Sequence, residues 1–148
     1  MKKIYVFTDG ACSGNPGIGG WVAILSYKGF VKEISGSKEH TTNNEMELQA
    51  VVSALNLLKE PCEIDLTSDS QYVVNGANEW MFKWAQNSWR ISKSKSVKNS
   101  GLWQEIYRLS KIHQIHWYWV KGHAGHPENE RCDQLATQAI CDLKETLL

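Results

Sequence analysis

The stretch that decides the fold is residues 41–69, TTNNEMELQAVVSALNLLKEPCEIDLTSD. Thr41, Thr42, Asn43 and Asn44 supply good helix N-cap residues, and from Met46 the apolar positions Leu48, Val51, Val52, Leu55 and Leu58 recur at helical spacing. Glu60-Pro61 stops them. Glu63 to Ser68 then alternates Ile64 and Leu66 with Asp65 and Thr67, the period of a half-buried strand that ends at Asp69. A strand after a helix after earlier strands predicts a parallel crossover, and so an α/β fold.

The flanking sequence fits that reading. Lys3 to Thr8 is β-branched and aromatic, ends at Asp9-Gly10, and predicts a strand parallel to residues 63–68. Ser13 to Gly20, rich in glycine around Pro16, predicts a turn. Trp21 to Tyr27 and Phe30 to Gly36 predict two further strands joined through Lys28-Gly29, completing an antiparallel meander. Downstream, Ser70 to Trp84 reads as one helix, Asn87 to Ser100 as a polar loop, Leu102 to Ile112 as a helix and Ile115 to Val120 as a last strand. After the loop Lys121 to Pro127, the residues Cys132, Leu135, Ala136, Ala139, Ile140 and Leu143 outline a closing amphipathic helix.

At 148 residues the expectation is a single domain spanning residues 1–148. No run of the sequence is long and apolar enough to read as a membrane span, and no export signal is visible. The four cysteines lack the spacing of a disulfide framework and suit a reducing, cytoplasmic setting. A formal net charge of zero argues at first against a nucleic-acid partner, but the charges are segregated. Residues 80–100 hold Lys83, Arg90, Lys93, Lys95 and Lys98 and no acid, whereas residues 1–79 hold ten acids against six bases.

Acids stand out where the elements are otherwise apolar. Asp9 and Asp69 end two strands expected to be parallel neighbours, at the sheet edge where α/β folds bind ligands. Glu47 and Asp133 lie near the starts of two helices that could reach the same edge. Each pair of such carboxylates ~4 Å apart repels by roughly 4 kcal/mol at an effective dielectric of ~20. A divalent cation resolves the conflict, and an all-oxygen donor set selects a hard ion such as Mg²⁺ or Mn²⁺. Taken one at a time, the same acids also suit turn starts and helix dipoles.

Four motifs carry a resemblance. Residues 8–17 (TDGACSGNPG), 41–48 (TTNNEMEL), 67–73 (TSDSQYV) and 120–133 (VKGHAGHPENERCD) resemble, in order, the type 1 ribonuclease H family, and together they cover essentially the whole chain. The resemblance implies a five-stranded mixed sheet, three strands antiparallel and then two parallel, flanked by α-helices. It implies a metal-dependent endonuclease that hydrolyses the RNA strand of RNA–DNA hybrids by a two-metal-ion mechanism, leaving 5′-phosphate and 3′-hydroxyl ends.

The metal-binding acids would be Asp9, Glu47, Asp69 and Asp133, with Mg²⁺, or Mn²⁺ as substitute, as two ions in the substrate complex. His123 would act near the scissile phosphate in proton transfer or product release. Cys12, Asn15, Asn43, Asn44 and Gln71 would face the minor groove or the RNA sugars, and Thr42 with Asn99 would grip a DNA-strand phosphate. Trp80 would pack on a deoxyribose, and Lys98 belongs to a basic protrusion at about residues 80–100 that contacts phosphates. Trp84 and Trp103 are expected in the core. A monomer with no obligate protein partner and no membrane association is the expectation. A hybrid-binding module without turnover and a related metal-dependent DNA nuclease on the same fold are the alternatives.

Overall fold

The computed structural model describes residues 1–122 and 125–148. Its centre is a five-stranded sheet of order β3-β2-β1-β4-β5, built from β1 (Lys2–Ser13), β2 (Gly17–Tyr27), β3 (Phe30–Thr41), β4 (Cys62–Ser68) and β5 (Gln114–Trp119). β1, β2 and β3 pair antiparallel, whereas β1–β4 and β4–β5 pair parallel. The expected mixed sheet is therefore present. The β2–β3 hairpin turns at Lys28 and Gly29, with φ of 47° and 85°, the two positive values that match the right-handed twist of a hairpin.

Strand alternation sends side chains to two faces. Ile4, Val6, Ala23, Leu25, Ile64 and Leu66 join one core with residues of α1 (Asn43–Asn56) and α4 (Ser100–Ile112). Val22, Ile24 and Phe7 pack on the other face against Cys132, Leu135 and Ala136 of α5 (Pro127–Leu147).

Three boundaries differ from the sequence reading. The turn expected over Ser13–Gly20 is confined to residues 14–16, because the β1–β2 ladder runs out to the Ser13↔Ile18 pair. Gly17, Gly19 and Gly20 lie inside β2, where Gly19 is packed closely by α1 and Gly20 by α5, and Gly14 alone is in the turn. Second, β3 continues past Gly36 to Thr41; its outer end is polar and exposed, so no apolar alternation marks it.

The third difference concerns residues 70–84, which are not one α-helix. α2 (Gln71–Asn75) passes into a π turn over Gly76–Trp80 and then into α3 (Met81–Gln86). The fully buried Trp103 explains the position of this widening. A Cβ on Gly76 would lie 2.2 Å from its Cη2, so the indole of α4 occupies the space that a side chain at 76 would need. A π turn closes i→i+5 bonds instead of i→i+4 and so takes about one more residue to come round. Trp80, eight residues after Tyr72, is thereby returned close to the Tyr72 face, and the two rings lie 6.3 Å apart. Trp103 is in the core as expected, while Trp84 is half-buried beside it.

Candidate active site

Parallel pairing of β1 with β4 sets the site. Thr8 pairs with Ser68, so Asp9 and Asp69 are the next residues on adjacent strands and leave the ladder together. Glu47 is brought to them by α1. Thr42 is the N-cap of that helix, its Oγ1 accepting from the Glu45 N–H at 3.2 Å, which places Glu47 in the opening turns. The approach is close because residue 10 has no side chain. A Cβ on Gly10 would lie 2.4 Å from the backbone nitrogen of Glu47 and 2.5 Å from the carbonyl carbon of Met46.

Carboxylate oxygens of Asp9, Glu47 and Asp69 all lie within 4.8 Å of one another. Asp9 and Glu47 are buried, at 3% and 7% exposure, and Asp69 is half-buried. Burial, then the charge of Asp69, pushes the Asp9 carboxyl up to about 7; bonds from Glu47 and the Gly10 N–H, at 2.9 Å, only partly oppose this. Glu47 is driven well above the ordinary carboxylate range, first by burial and then by the charges of Asp9 and Asp69. Its Oε2 is buried without a hydrogen-bond partner. Such an orphaned acceptor is costly in a protein and fits a cation ligand.

Asp133 stands apart from this trio. It lies in the second turn of α5, half-buried, and its charge reaches Asp9, contributing to the raised pKa, but it is outside the group whose oxygens share 4.8 Å. His123 lies outside the described residues. The surrounding residues nonetheless frame the acids. Trp119 donates its Nε1–H to the Asp69 carbonyl oxygen at 3.1 Å, and a Cβ on Gly122 would lie 3.1 Å from Asp69 Oδ2. Buried Cys132 sits on the other side, its thiol pushed up by burial and then by the charges of Asp9 and Asp69.

The polar residues expected at the substrate fall into groups. Asn15 Oδ1 accepts from the Asn43 backbone N–H at 3.0 Å, and the single S–H of Cys12 is shared between the carbonyls of Gly14 and Thr41. Both residues therefore tie the β1–β2 turn to the start of α1. Asn43, Asn44 and Gln71 are exposed at helix starts near the acids in sequence. Lys98 is exposed, and Asn99 adopts a left-handed backbone at the start of α4, φ 57°, without capping it. Trp80 is half-buried between Tyr72 and Trp84, its ring tilted to both.

The sequence reading missed Gly10, Trp119 and Gly122 as site residues. For Gly10 a signal existed, since an isolated glycine inside a strand often marks a close backbone approach. Trp119 had none, because its bond to residue 69 is fixed only by strand pairing.

Asp9, just past the parallel β1–β4 pairing, and Asp69, just past the end of β4, are joined by Glu47 of the crossover helix in an acidic cluster able to hold a metal ion in an α/β fold. The chain matches the RNase H family over residues 1–141. It is 57% identical over 138 residues to a ribonuclease H of Geotalea uraniireducens, covering 93% of this chain and 94% of the relative. It is 54% identical over 145 residues to one from a Chelativorans species, covering 98% and 90%. Among solved structures, LC9-RNase H1, a type 1 RNase H with the type 2 active-site motif, superposes with a TM-score of 0.85 at 33% identity, covering 95% of this chain and 73% of that one. The chain belongs to the ribonuclease H family, type 1, whose members are metal-dependent endoribonucleases acting on RNA–DNA hybrids.

Proposed function

We propose that Asp9, Glu47 and Asp69, completed by Asp133, hold Mg²⁺, with Mn²⁺ as substitute and two ions in the substrate complex. The site would cut the RNA strand of an RNA–DNA hybrid to leave 5′-phosphate and 3′-hydroxyl ends. The observation that carries this reading is the orphaned Oε2 of buried Glu47 within a trio of carboxylates whose oxygens lie within 4.8 Å. Hard oxygen donors and surplus negative charge suit Mg²⁺ rather than a softer metal. Bound ions would supply an activated water and stabilise the leaving oxygen.

The chain's own residues prepare the site. The Gly10 N–H holds one Asp9 oxygen, and Trp119 fixes the backbone from which Asp69 projects. With carboxyls at Asp9 and Glu47 that retain protons, cation binding would release protons as it neutralises the trio. His123 is assigned proton transfer or product release at the scissile phosphate.

For the hybrid, Cys12, Asn15, Asn43, Asn44 and Gln71 are assigned to the RNA sugars and minor groove, where the 2′-OH distinguishes RNA from DNA. Thr42 and Asn99 are assigned to one DNA phosphate, Trp80 to a deoxyribose, and Lys98 with the other cations of residues 80–100 to phosphates along the protrusion. The chain would work as a monomeric single domain in the cytoplasm; among the described residues no helix is long and apolar enough to cross a membrane.

Cleavage of one strand-labelled sequence as RNA–DNA hybrid, RNA duplex, DNA duplex and single-stranded RNA, with Mg²⁺ or EDTA, tests the reading. The hybrid's RNA strand alone is expected to be cut, only with metal, and not by Asp9→Asn. Cleavage by Asp9→Asn at the wild-type rate refutes the metal assignment.

A further inference from the structure

Tyr72 lies in the stretch expected as one helix, with no site role assigned to it, yet its phenol oxygen is a junction. It accepts from Nε1 of Trp103 at 2.9 Å and from Nδ2 of Asn99 at 3.4 Å. Its ring meets Trp103 edge-on at 5.5 Å and lies 6.3 Å from Trp80, tilted by 53°. Trp103 is fully buried, so one side of the junction is fixed in the core.

The other side consists of two residues assigned above to the DNA strand. Asn99 stands at an N-cap position, where an asparagine side chain ordinarily accepts from the helix it starts. Here it makes no such bond. Its left-handed backbone instead anchors through its carbonyl to the Trp103 N–H at 3.0 Å, and its amide reaches back to Tyr72. The Asn99 amide carries a second N–H that this bond does not use. Trp80 is returned to the Tyr72 face by the π turn, a local geometry that is rare in helices and frequent at functional sites.

We propose that Tyr72 is a positioning residue for the DNA strand, holding the Asn99 amide and the Trp80 ring at a fixed spacing for one phosphate and one deoxyribose. The bonds and ring contacts of Tyr72 go to Asn99, Trp103 and Trp80, so its effect is expected in hybrid binding and not in the chemical step. A preset spacing lowers the ordering cost on binding, which favours a strand whose sugar and phosphate match it. The proposal rests on the reading of Asn99 and Trp80 as DNA-strand contacts.

The test is a double-mutant cycle on steady-state hybrid cleavage with Mg²⁺, using Tyr72→Phe, Asn99→Ala and the pair. Tyr72→Phe keeps the ring and removes the acceptor. It is expected to raise KM about 3- to 10-fold with kcat changed by less than about 2-fold, the split of a lost binding interaction. If Tyr72 acts through Asn99, the double variant has the KM of Asn99→Ala. Because Tyr72→Phe also orphans the buried Trp103 N–H, Tyr72→Phe/Trp103→Phe is run beside it; the KM rise is expected to persist there while Tm changes independently. A wild-type KM for Tyr72→Phe, with Asn99→Ala impaired, overturns this inference alone. Multiplying KM effects in the double variant, or kcat falling in step with Tm while KM holds, also overturns it. A wild-type KM for Asn99→Ala overturns the phosphate assignment and the inference together.

Discussion

Replacing Asp9 with asparagine should stabilise the metal-free protein, by an amount that depends on pH. The Asp9 carboxyl is raised from 3.8 to about 7, mainly by burial and by the Asp69 charge. A rise of about three units corresponds to about 4 kcal/mol between protonation states. The sign follows from linkage: a carboxyl whose folded pKa exceeds its unfolded value favours the folded state below the unfolded pKa, and that stability is lost as pH rises through the folded value. In EDTA, then, wild-type stability carries a contribution that declines between about pH 4 and pH 7 and is gone by about pH 8. Asparagine keeps an oxygen for the Gly10 N–H and gains an amide that can donate to Glu47, whose Oε2 has no hydrogen-bond partner. We expect a gain of about 2–4 kcal/mol at pH 8, or roughly 5–15 °C in Tm, and little gain at pH 4.5. Thermal unfolding of both proteins in EDTA across that range is the assay. Carboxylates lowered elsewhere by basic partners, such as Glu33 and Glu105, are common to both and cancel in the difference. Saturating Mg²⁺ should stabilise the wild type selectively and narrow the gap. An equal gain at pH 4.5 and pH 8, or none at pH 8, refutes the electrostatic account of the trio.

Two further outcomes follow from the packing around the site. Gly10→Ala would force α1 away from β1, since the new Cβ meets the Met46–Glu47 backbone of α1; a loss of about 1–3 kcal/mol is expected. Hybrid cleavage should fall more than stability implies, because Glu47 moves with the helix, and wild-type activity at lowered Tm would contradict that coupling. His113, 5% exposed, accepts from the Cys62 N–H through Nδ1 at 3.0 Å, and burial lowers its pKa. Its contribution is therefore full above about pH 6.5, the unfolded value, and is lost as pH falls below it through the lower folded value. In the Asp9→Asn background, His113→Phe should cost about 1–3 kcal/mol at pH 8 and flatten the decline between pH 7 and pH 5; an unchanged slope would count against the assignment.

What the sequence made legible was whatever depends on local period and on order. The apolar period from Met46, the cap at Thr42 and the alternation over 63–68 identify the crossover, and with it the pairing that sets Asp9 beside Asp69. Glu47 followed because its place in the helix is set by the cap. Asp133 was legible as an acid near the start of the last helix, but its separation from the trio depends on how α5 lies across the sheet. The π turn escaped because one inserted residue leaves an apolar pattern of a helix nearly intact over so short a span. Asn15 and Cys12 were placed at the RNA sugars by resemblance, whereas their observed bonds span 28 and 29 residues, contacts that no local pattern encodes.

The acids stay together because each is held by backbone rather than by choice of rotamer. Asp9 follows a β1 residue paired on both sides, to Ala23 in β2 and to Ser68 in β4. Glu47 is clamped where α1 rests on Gly10. At Asp69 the parallel ladder is continued past the end of β4 by the Val120 N–H to the Ser68 carbonyl, and then by the Trp119 indole to the Asp69 carbonyl. Three carboxylates within 4.8 Å would repel by about 3–4 kcal/mol per charged pair at an effective dielectric of about 20. Side chains on mobile loops would relieve that by moving apart. Here the anchors are a central strand, a strand end and a helix start that enclose two cores, so separating the acids means disturbing the sheet. The repulsion, added to burial, is expressed instead as carboxyls at Asp9 and Glu47 raised above their ordinary range.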